Sequence, residues 1–380
     1  MKRRETLTLN EIIQENNIKV LVLSAAYPTV NGSRAMYFVH SRNLYYMRAG
    51  IEVTVLNFSS KKGYEIDGIK VISLCEYNSR EKYDILIMHA PNVRNHYMFL
   101  KKYERYFPKK MFVFHGHEVL HINKYYPKQY KYMKKRGVFS DFFQDVYDSY
   151  KLRLWHNYFL KNIEGIRLVF VSNWIYEQFR KEVCLLESQL HNHAVVISNS
   201  IGEFFEQNKY RLTDYQFDFL TIRSNLDDSK YGVDIVVKLA EQNPRYRFCL
   251  IGKGDFFNYH LKPNNLTWIN REMTHKDIMG YINQSKYALL PTREDTQGLM
   301  ACELASCGLP LITSNIDVCK EVFSDCPNVA LIDNNEPNLD EAKEKLDNLK
   351  NKEKVWERYF AKNTIDREIK FIFKYNSEES

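Results

Sequence analysis

Short runs that are apolar almost throughout, rather than alternating with polar residues, recur along this chain. In the first half they are Ile18 to Leu23, Ile51 to Phe58, Asp84 to Met88, Met111 to Phe114, Arg167 to Val171 and Ala194 to Ile197. A strand needs such a run when helices cover both faces of its sheet, which is the situation of a parallel sheet. The first run is followed by the turn residues Pro28 and Gly32, then by a helical pattern from about Ser33 to Ala49 that Gly50 closes. A second set begins near Phe217, with strands expected at Phe219 to Ile222, Phe248 to Ile251, Leu266 to Ile269, Tyr287 to Leu290 and Leu309 to Thr313. Between the first two of these, Gly232 to Gln242 carries Ile235, Val236, Leu239 and Ala240 at helical spacing. Gly202 to Gln216 is polar and aperiodic, and the linker is expected there. The pattern predicts two doubly wound α/β domains in series, a size that suits 380 residues. Ligands of such sheets sit at the carboxyl ends of the strands.

Composition narrows the function classes. Charged residues make up 27% of the chain, an ordinary globular share. The net charge is +7, yet Lys101 to Arg136 alone holds eleven Lys/Arg against two Glu, interleaved with nine Tyr or Phe. One basic surface is therefore expected rather than a basic protein. Such a surface suits anionic lipid, an anionic glycan or nucleic acid. No helix-turn-helix, zinc-finger or RNA-binding aromatic signature accompanies it. The seven cysteines are odd in number and contain no CxxC pair, which points to a reducing compartment and away from disulfides or structural zinc. The first fifteen residues have no secretory apolar core, and no run of 18 apolar residues occurs. A cytoplasmic location is expected, with membrane association on the cytoplasmic face as an extension of the basic surface.

The densest chemistry lies in PTREDTQGLMACELASCGLPLITSNIDVCKEV, Pro291 to Val322. A strand ends near Leu290, a polar loop follows, and a helix is expected from Leu299 to a stop at Gly308. Gly298 permits close approach at the helix start. The first N–H groups of that helix, at Leu299 and Met300, have no intrahelical acceptor and bear partial positive charge, so they suit a phosphate. Glu303, one turn in, can accept hydrogen bonds from a sugar diol, and Asp295 at the loop mouth can do the same for a second sugar. Glu294 competes with Asp295 for that role. Upstream, Arg223 at a strand end and Lys230 just before Gly232 can flank a diphosphate. Gly252 and Gly254 form a GxG turn after the next strand. Asp227 and Asp228 beside Lys230 read as a solvated loop, not a metal pair.

These stretches resemble retaining glycosyltransferases of the GT-B fold, specifically glycosyltransferase family 4 (glycosyl transferases group 1). That family has two acidic residues separated by seven around a Gly-containing helix start, and Asp295 and Glu303 stand there. The family usually has Glu first and an aromatic residue before the Gly, where this chain has Asp295 and Gln297. GLPLITS, Gly308 to Ser314, matches its small-residue turn and strand, and Glu321 stands where an acidic helix residue is common. In the second stretch, Thr221 to Gly254, the family's strand-end Arg and Lys-Gly correspond to Arg223 and Lys230, with Tyr231 interrupting the Lys-Gly pair. The first half matches less specifically, through Tyr27, Pro28, Asn31 and Gly32, through FVFHGHEVLH at Phe112 to His121, and through Asn199 and Ser200.

The resemblance implies a GT-B architecture of two Rossmann-like domains. Residues 1–205 would bind the acceptor, residues 206–361 would bind the nucleotide-sugar, and a final helix at about 362–380 would pack back on the first domain. It implies Arg223, Lys230, Asp295 and His115 as catalytic residues, with His117 and Glu118 as alternatives to His115. Glu303, Gly298, Leu299, Met300, Gly252, Gly254, Glu272 and Gly32 would contact the donor, with Arg271 and Met273 also near the base. The donor would be UDP- or GDP-linked, and no cofactor or metal is expected. His115, His117 and His121 have spacing that admits a metal but no convincing ligand set. The acceptor would be a glycan or a lipid-linked sugar, in bacterial surface-polysaccharide or glycoconjugate assembly. The rival readings are a nucleic-acid-binding protein using residues 101–136, and a GT-B-like pseudoenzyme or sugar-nucleotide epimerase.

Overall fold

The computed structural model describes residues 18–30, 32, 35–133, 138–348 and 356–377, with the side chains of 138 and 139 left aside. The chain divides into two compact units. The first comprises residues 1–120, 149–200 and 361–380, and the second residues 121–148 and 201–360.

The first unit is built on an eight-stranded sheet: β1 (Lys19–Ser24), β2 (Glu52–Asn57), β3 (Tyr64–Ile66), β4 (Ile69–Ile72), β5 (Ile85–His89), β6 (Lys110–Phe114), β7 (Ile166–Phe170) and β8 (Ala194–Val196). Their order is β3-β4-β2-β1-β5-β6-β7-β8, and every pair is parallel except β3 with β4. That hairpin is absent from the pattern of apolar runs. Its turn is Asp67-Gly68 with φ of +49° and +78°, the conformation that a tight two-residue hairpin requires. The helices α1 (Tyr37–Arg48), α2 (Met98–Tyr103), α3 (Val138–Asn162), of which this unit takes the part from Ser149 on, and α4 (Asn173–Val183) accompany the strands. β5, β6 and β7 are buried at every position, which is why their sequences do not alternate.

The second unit has six parallel strands: β9 (Phe217–Asn225), β10 (Phe248–Lys253), β11 (Leu266–Ile269), β12 (Ser285–Leu290), β13 (Leu311–Ser314) and β14 (Val329–Ile332). They run in the order β11-β10-β9-β12-β13-β14. The order reverses at β9, so its carboxyl end and that of β12 lie beside the crevice where such sheets take ligands. Helices α5 (Val233–Gln242), α6 (His275–Asn283), α7 (Leu299–Cys307), α8 (Asp317–Val322) and α9 (Leu339–Asp347) accompany the strands. β13 starts two residues later than the apolar run at Leu309, since Pro310 has no N–H to give to a ladder. The last helix, α10 (Ile365–Ser377), belongs to the first unit, where Ile365, Ile369, Ile372 and Phe373 join the core around β1 and β5.

Two expectations need correction. Gly202 to Gln216 is not a free linker. The units part at Ser200, Phe205 is fully buried, and Tyr210 N and Thr213 N donate to Cys307 O and Asn283 O at 2.7 and 2.9 Å. Nor does Lys101 to Arg136 belong to a single unit. Residues up to 120 belong to the first unit and the following ones to the second. Lys110 is buried, 3.5 Å from Glu104, and Lys109 donates to Asn376 O at 2.6 Å. Lys134, Lys135 and Arg136 lie outside the described residues. Residues 121–133 go with the second unit because Tyr130 and Tyr132 pack on its core and donate to Asp234 and Asp227, at 2.8 and 2.7 Å.

The first unit closes around a buried ion pair. Arg42 of α1 donates through Nε to Glu368 Oε2 of α10 at 2.9 Å and through Nη1 to Asn199 Oδ1 at 2.8 Å. Tyr46 donates to the other Glu368 oxygen, and both charged side chains are almost fully buried. Removing one partner strands a buried charge, which costs about 3–5 kcal/mol, whereas replacing both by apolar residues of similar volume is far milder. Arg42→Met is therefore expected to lower the urea midpoint of the first unit sharply. The double substitution Arg42→Met with Glu368→Leu should recover most of that loss, as read by equilibrium denaturation.

Candidate donor site

The carboxyl end of β9 brings Arg223 against the loop that leaves β12. Arg223 is 8% exposed, and its Nη2 donates to Pro291 O at 2.7 Å while its Nε has no acceptor. Burial pulls its pKa below the ordinary value, against the opposing pull of the Asp295 carboxylate. The neighbouring strand approaches closely here. A Cβ on Gly252, at φ +154°, would sit 2.2 Å from Arg223 O, so only glycine fits. The register of β9 with β10 shifts at that point, and Trp268 Nε1 holds the Gly252 carbonyl at 3.0 Å. Gly254 packs on Asp227, whose carboxylate accepts from Asp255 N.

Lys230 lies on a single turn of 3-10 helix, Ser229–Tyr231. Asp228 caps that turn through Lys230 N at 3.1 Å, and Gly232 exits it at φ +60°, where a Cβ would meet Pro291 O at 2.9 Å. The loop after β12 grips the same turn from the other side. Arg293 N and Thr292 Oγ1 donate to Lys230 O at 2.7 and 3.1 Å. The ammonium stands 3.6 Å from Asp228 Oδ2 and 4.8 Å from the centre of the Tyr231 ring. Burial lowers its pKa, but Tyr231, Asp228 and Asp295 together outweigh that and raise it. Lys230 is therefore a fixed cation. The residues 291–294 thus hold both cations of the second unit's site, one through a carbonyl and one through the backbone.

The acids of the same loop are arranged unequally. Asp295 Oδ1 accepts from Thr296 N, Gln297 N and Gly298 N at 2.8, 3.3 and 2.9 Å, which ties the loop into the start of α7. Its Oδ2 takes no hydrogen bond among the described residues. Glu294 is buried, and its Oε1 has no hydrogen-bond partner among the described residues. Burial first, then the charge of Asp295, pushes its carboxyl up to about 8 against the pull of Lys230. Gly298, at φ +74°, turns the chain into α7, so that the N–H groups of Leu299 and Met300 point out of the first turn. Glu303 makes no hydrogen bond among the described residues, and burial pushes its carboxyl up to about 8. Glu272 is exposed after β11 and pairs with Lys253 at 3.2 Å, while Met273 is buried.

Asp227 and Asp228 are committed to backbone and tyrosine donors, and no cluster of three metal-ligating side chains occurs among the described residues. Sequence reasoning missed Arg293, which forms a two-pronged pair with Asp234 at 2.6 and 2.8 Å and donates to Ser229 O. It missed Tyr130 and Tyr132 as well, because their partners lie 104 and 95 residues away.

His115 and Gly32 belong to the first unit. His115 follows β6. Its Nε2 faces His89 Nδ1 at 3.2 Å, its ring packs on Phe38, and its backbone N–H donates to Glu118 Oε1. Burial, then the charge of Arg42, holds its pKa well below the ordinary value, so the ring is neutral near pH 7. Glu118 is buried and His117 exposed. Gly32 closes a turn onto Thr29 O at 3.0 Å, and a Cβ there would meet open space, so no close approach dictates the glycine. Asn31 lies outside the described residues.

Residues 218–367 match the family model described as glycosyl transferases group 1. An uncharacterized glycosyltransferase of Methanocaldococcus jannaschii is 27% identical over 214 residues, 55% of this chain and 56% of that protein. The chain thus spans about half the length of the curated relative it matches. Sucrose-phosphate synthase from Thermosynechococcus elongatus superposes with a TM-score of 0.66 at 13% identity, over 94% of this chain and 98% of the other. An E. coli trehalose-6-phosphate structure bound with UDP-2-fluoro glucose gives 0.54 at 12% identity, over 95% and 99%. The family match falls on the second unit and the first turn of α10, and the GT-B fold extends over nearly the whole chain.

Proposed function

We propose that the chain is a retaining glycosyltransferase of family 4 that moves a sugar from a UDP- or GDP-linked donor to a glycan or lipid-linked acceptor. The observation that carries this reading is the pair of cations, Arg223 and Lys230, fixed by one loop that then opens into the first turn of α7. In this reading the donor diphosphate lies against both cations and the N–H groups of Leu299 and Met300. The bond between the anomeric carbon and the phosphate oxygen breaks, and the nucleoside diphosphate leaves with the electron pair. Charge develops on the phosphate as the bond lengthens, and pre-set cations stabilise it without reorganising. An acceptor hydroxyl attacks on the face the leaving group vacates and passes its proton to the departing phosphate. Asp295 Oδ2 and Glu294 would hold the transferred sugar, Glu303 the ribose diol, and Gly252, Gly254 and Glu272 the nucleoside side. Gly32 and His115 carry over from the resemblance as the first unit's contributors.

Support for the donor class comes from the UDP-sugar analogue held by the E. coli neighbour. The surface-polysaccharide setting rests on the likeness of residues 291–322 to the family. The nucleic-acid reading loses its footing, since the basic run is divided between the two units and Lys110 is buried.

Lys230→Ala and Arg223→Ala are each expected to lower kcat/KM for sugar transfer roughly 10²–10³-fold. Each should also abolish the thermal stabilisation by one nucleoside diphosphate among UDP, GDP and ADP. Turnover that survives both substitutions would remove the assignment of the donor site. The buried acids give a second test. The pKa values of Glu294 and Glu303, about 8 when folded, exceed the unfolded value of 4.5. The folded state therefore keeps protons that the unfolded state has released, and stability falls from about pH 4.5 to pH 8 before levelling. Glu303→Gln should flatten part of that fall in a series of thermal midpoints. A slope identical to the parent's would mean that Glu303 ionises as an ordinary surface acid.

A further inference from the structure

Residues 126–132 belong to no helix or strand, yet two tyrosine hydroxyls and a backbone carbonyl pin them within the second unit. The three points all fall around the turn that carries Lys230. Tyr132 OH donates to Asp227 Oδ1 at 2.7 Å, just before the turn. Lys128 O accepts from Ser229 Oγ at 2.8 Å, inside it. Tyr130 OH donates to Asp234 Oδ1 at 2.8 Å, just after it. Tyr126 lies beside the lysine itself, with its ring centre 5.8 Å from Lys230 Nζ.

The two acids do not depend on these tyrosines. Asp234 is already met by both terminal nitrogens of Arg293, at 2.8 and 2.6 Å. Asp227 accepts from Asp255 N through both oxygens, at 3.0 and 2.9 Å. What the hydroxyls add is the position of the segment, and ordering an irregular stretch costs backbone entropy. The rings serve the same end. Tyr132 stacks on Tyr259 at 4.5 Å, and Tyr130 packs edge-on against Phe256 at 5.1 Å. The return on that ordering is at the ammonium. Tyr231 and Tyr126 both lie within cation–π reach of it, at 4.8 and 5.8 Å. Asp228 Oδ2, at 3.6 Å, is beyond a hydrogen bond. Two rings thus fix the cation without taking the place of an anion.

We infer that residues 126–132 are a positioning element of the donor site. Tyr126 and Tyr231 hold the Lys230 ammonium where the diphosphate meets it, and the Tyr130 and Tyr132 hydroxyls, with Ser229, keep Tyr126 there. The inference rests on the reading of Lys230 as a diphosphate cation. The test is calorimetric titration of the full chain with UDP, GDP and ADP in turn. Tyr126→Ala is expected to raise the Kd of the diphosphate that binds roughly fivefold, and Tyr126→Phe, which keeps the ring, should recover the loss. Tyr130→Phe/Tyr132→Phe keeps both rings and should weaken binding in the same direction. In a Lys230→Ala background neither change should weaken binding further, because both act through the ammonium. Parental thermal midpoints without ligand show that the variants fold. Parental binding by Tyr126→Ala, an equal loss in Tyr126→Phe, or a full additional loss in the Lys230→Ala background would overturn the inference alone. Parental binding by Lys230→Ala would overturn it together with the donor-site reading.

Discussion

A guanidinium buried without a carboxylate sets the terms for the second unit. Arg223 is 8% exposed, and among the described residues its side chain donates to one backbone carbonyl and its Nε has no acceptor. A buried charge in that state is costly unless an opposite charge arrives. The surrounding features follow from keeping it in place. Gly252 and Gly232 have no Cβ because their neighbours, Arg223 O and Pro291 O, leave no room for one. Pro291 supplies the carbonyl, and the next residues clamp the Lys230 turn through its own carbonyl. An anion entering here gains from two cations whose positions are already fixed, so little ordering remains at the moment of binding.

The acids around this charge are kept from cancelling it. Asp295 lends one oxygen to three backbone N–H groups, and no carboxylate forms an ion pair with Arg223 among the described residues. Glu294 is close enough to feel both Asp295 and Lys230, yet burial keeps it protonated near neutral pH. Arg293, the one cation of the loop itself, is fully spoken for by Asp234 and Ser229 O. The loop thus separates its charges by task. Arg293 braces the fold, Lys230 stands 3.6 Å from Asp228 Oδ2, and Arg223 pairs with no carboxylate among the described residues.

The parts of this arrangement that could be read from sequence are those whose cause is local. Burial of a strand on both faces leaves a continuous apolar run, so the parallel strands could be located to within one or two residues in most cases. A strand end followed by a polar loop, Gly298 and an apolar helix could be read for the same reason. The Asp67-Gly68 hairpin was equally local, but its strands are too short to stand out. What could not be read was set by contacts over long separations. Nothing near Tyr130 announces that its hydroxyl meets Asp234, and nothing in the basic run announces that residue 120 ends one unit. Charge counted along the chain therefore ran together residues that the fold assigns to two units and, at Lys110, buries.

The same reasoning explains why the two units differ in how they use buried charge. In the first unit Arg42 pairs with Glu368 through Nε and, at 2.8 Å, Nη2, while Asn199 takes its Nη1 and Tyr46 donates to the other carboxylate oxygen, so each charge has its opposite. It joins the last helix to the first, across more than three hundred residues of chain. A satisfied pair of that kind contributes little net stability over an apolar substitute, but it penalises any arrangement that separates its partners. That property suits a helix which must return to a unit the chain left long before. Arg223 has the opposite construction, since among the described residues no carboxylate pairs with it and its Nε has no acceptor. A buried arginine is thus paired in one unit and, among the described residues, without an ion pair in the other, and under the proposed function that difference leaves the second free for an anion.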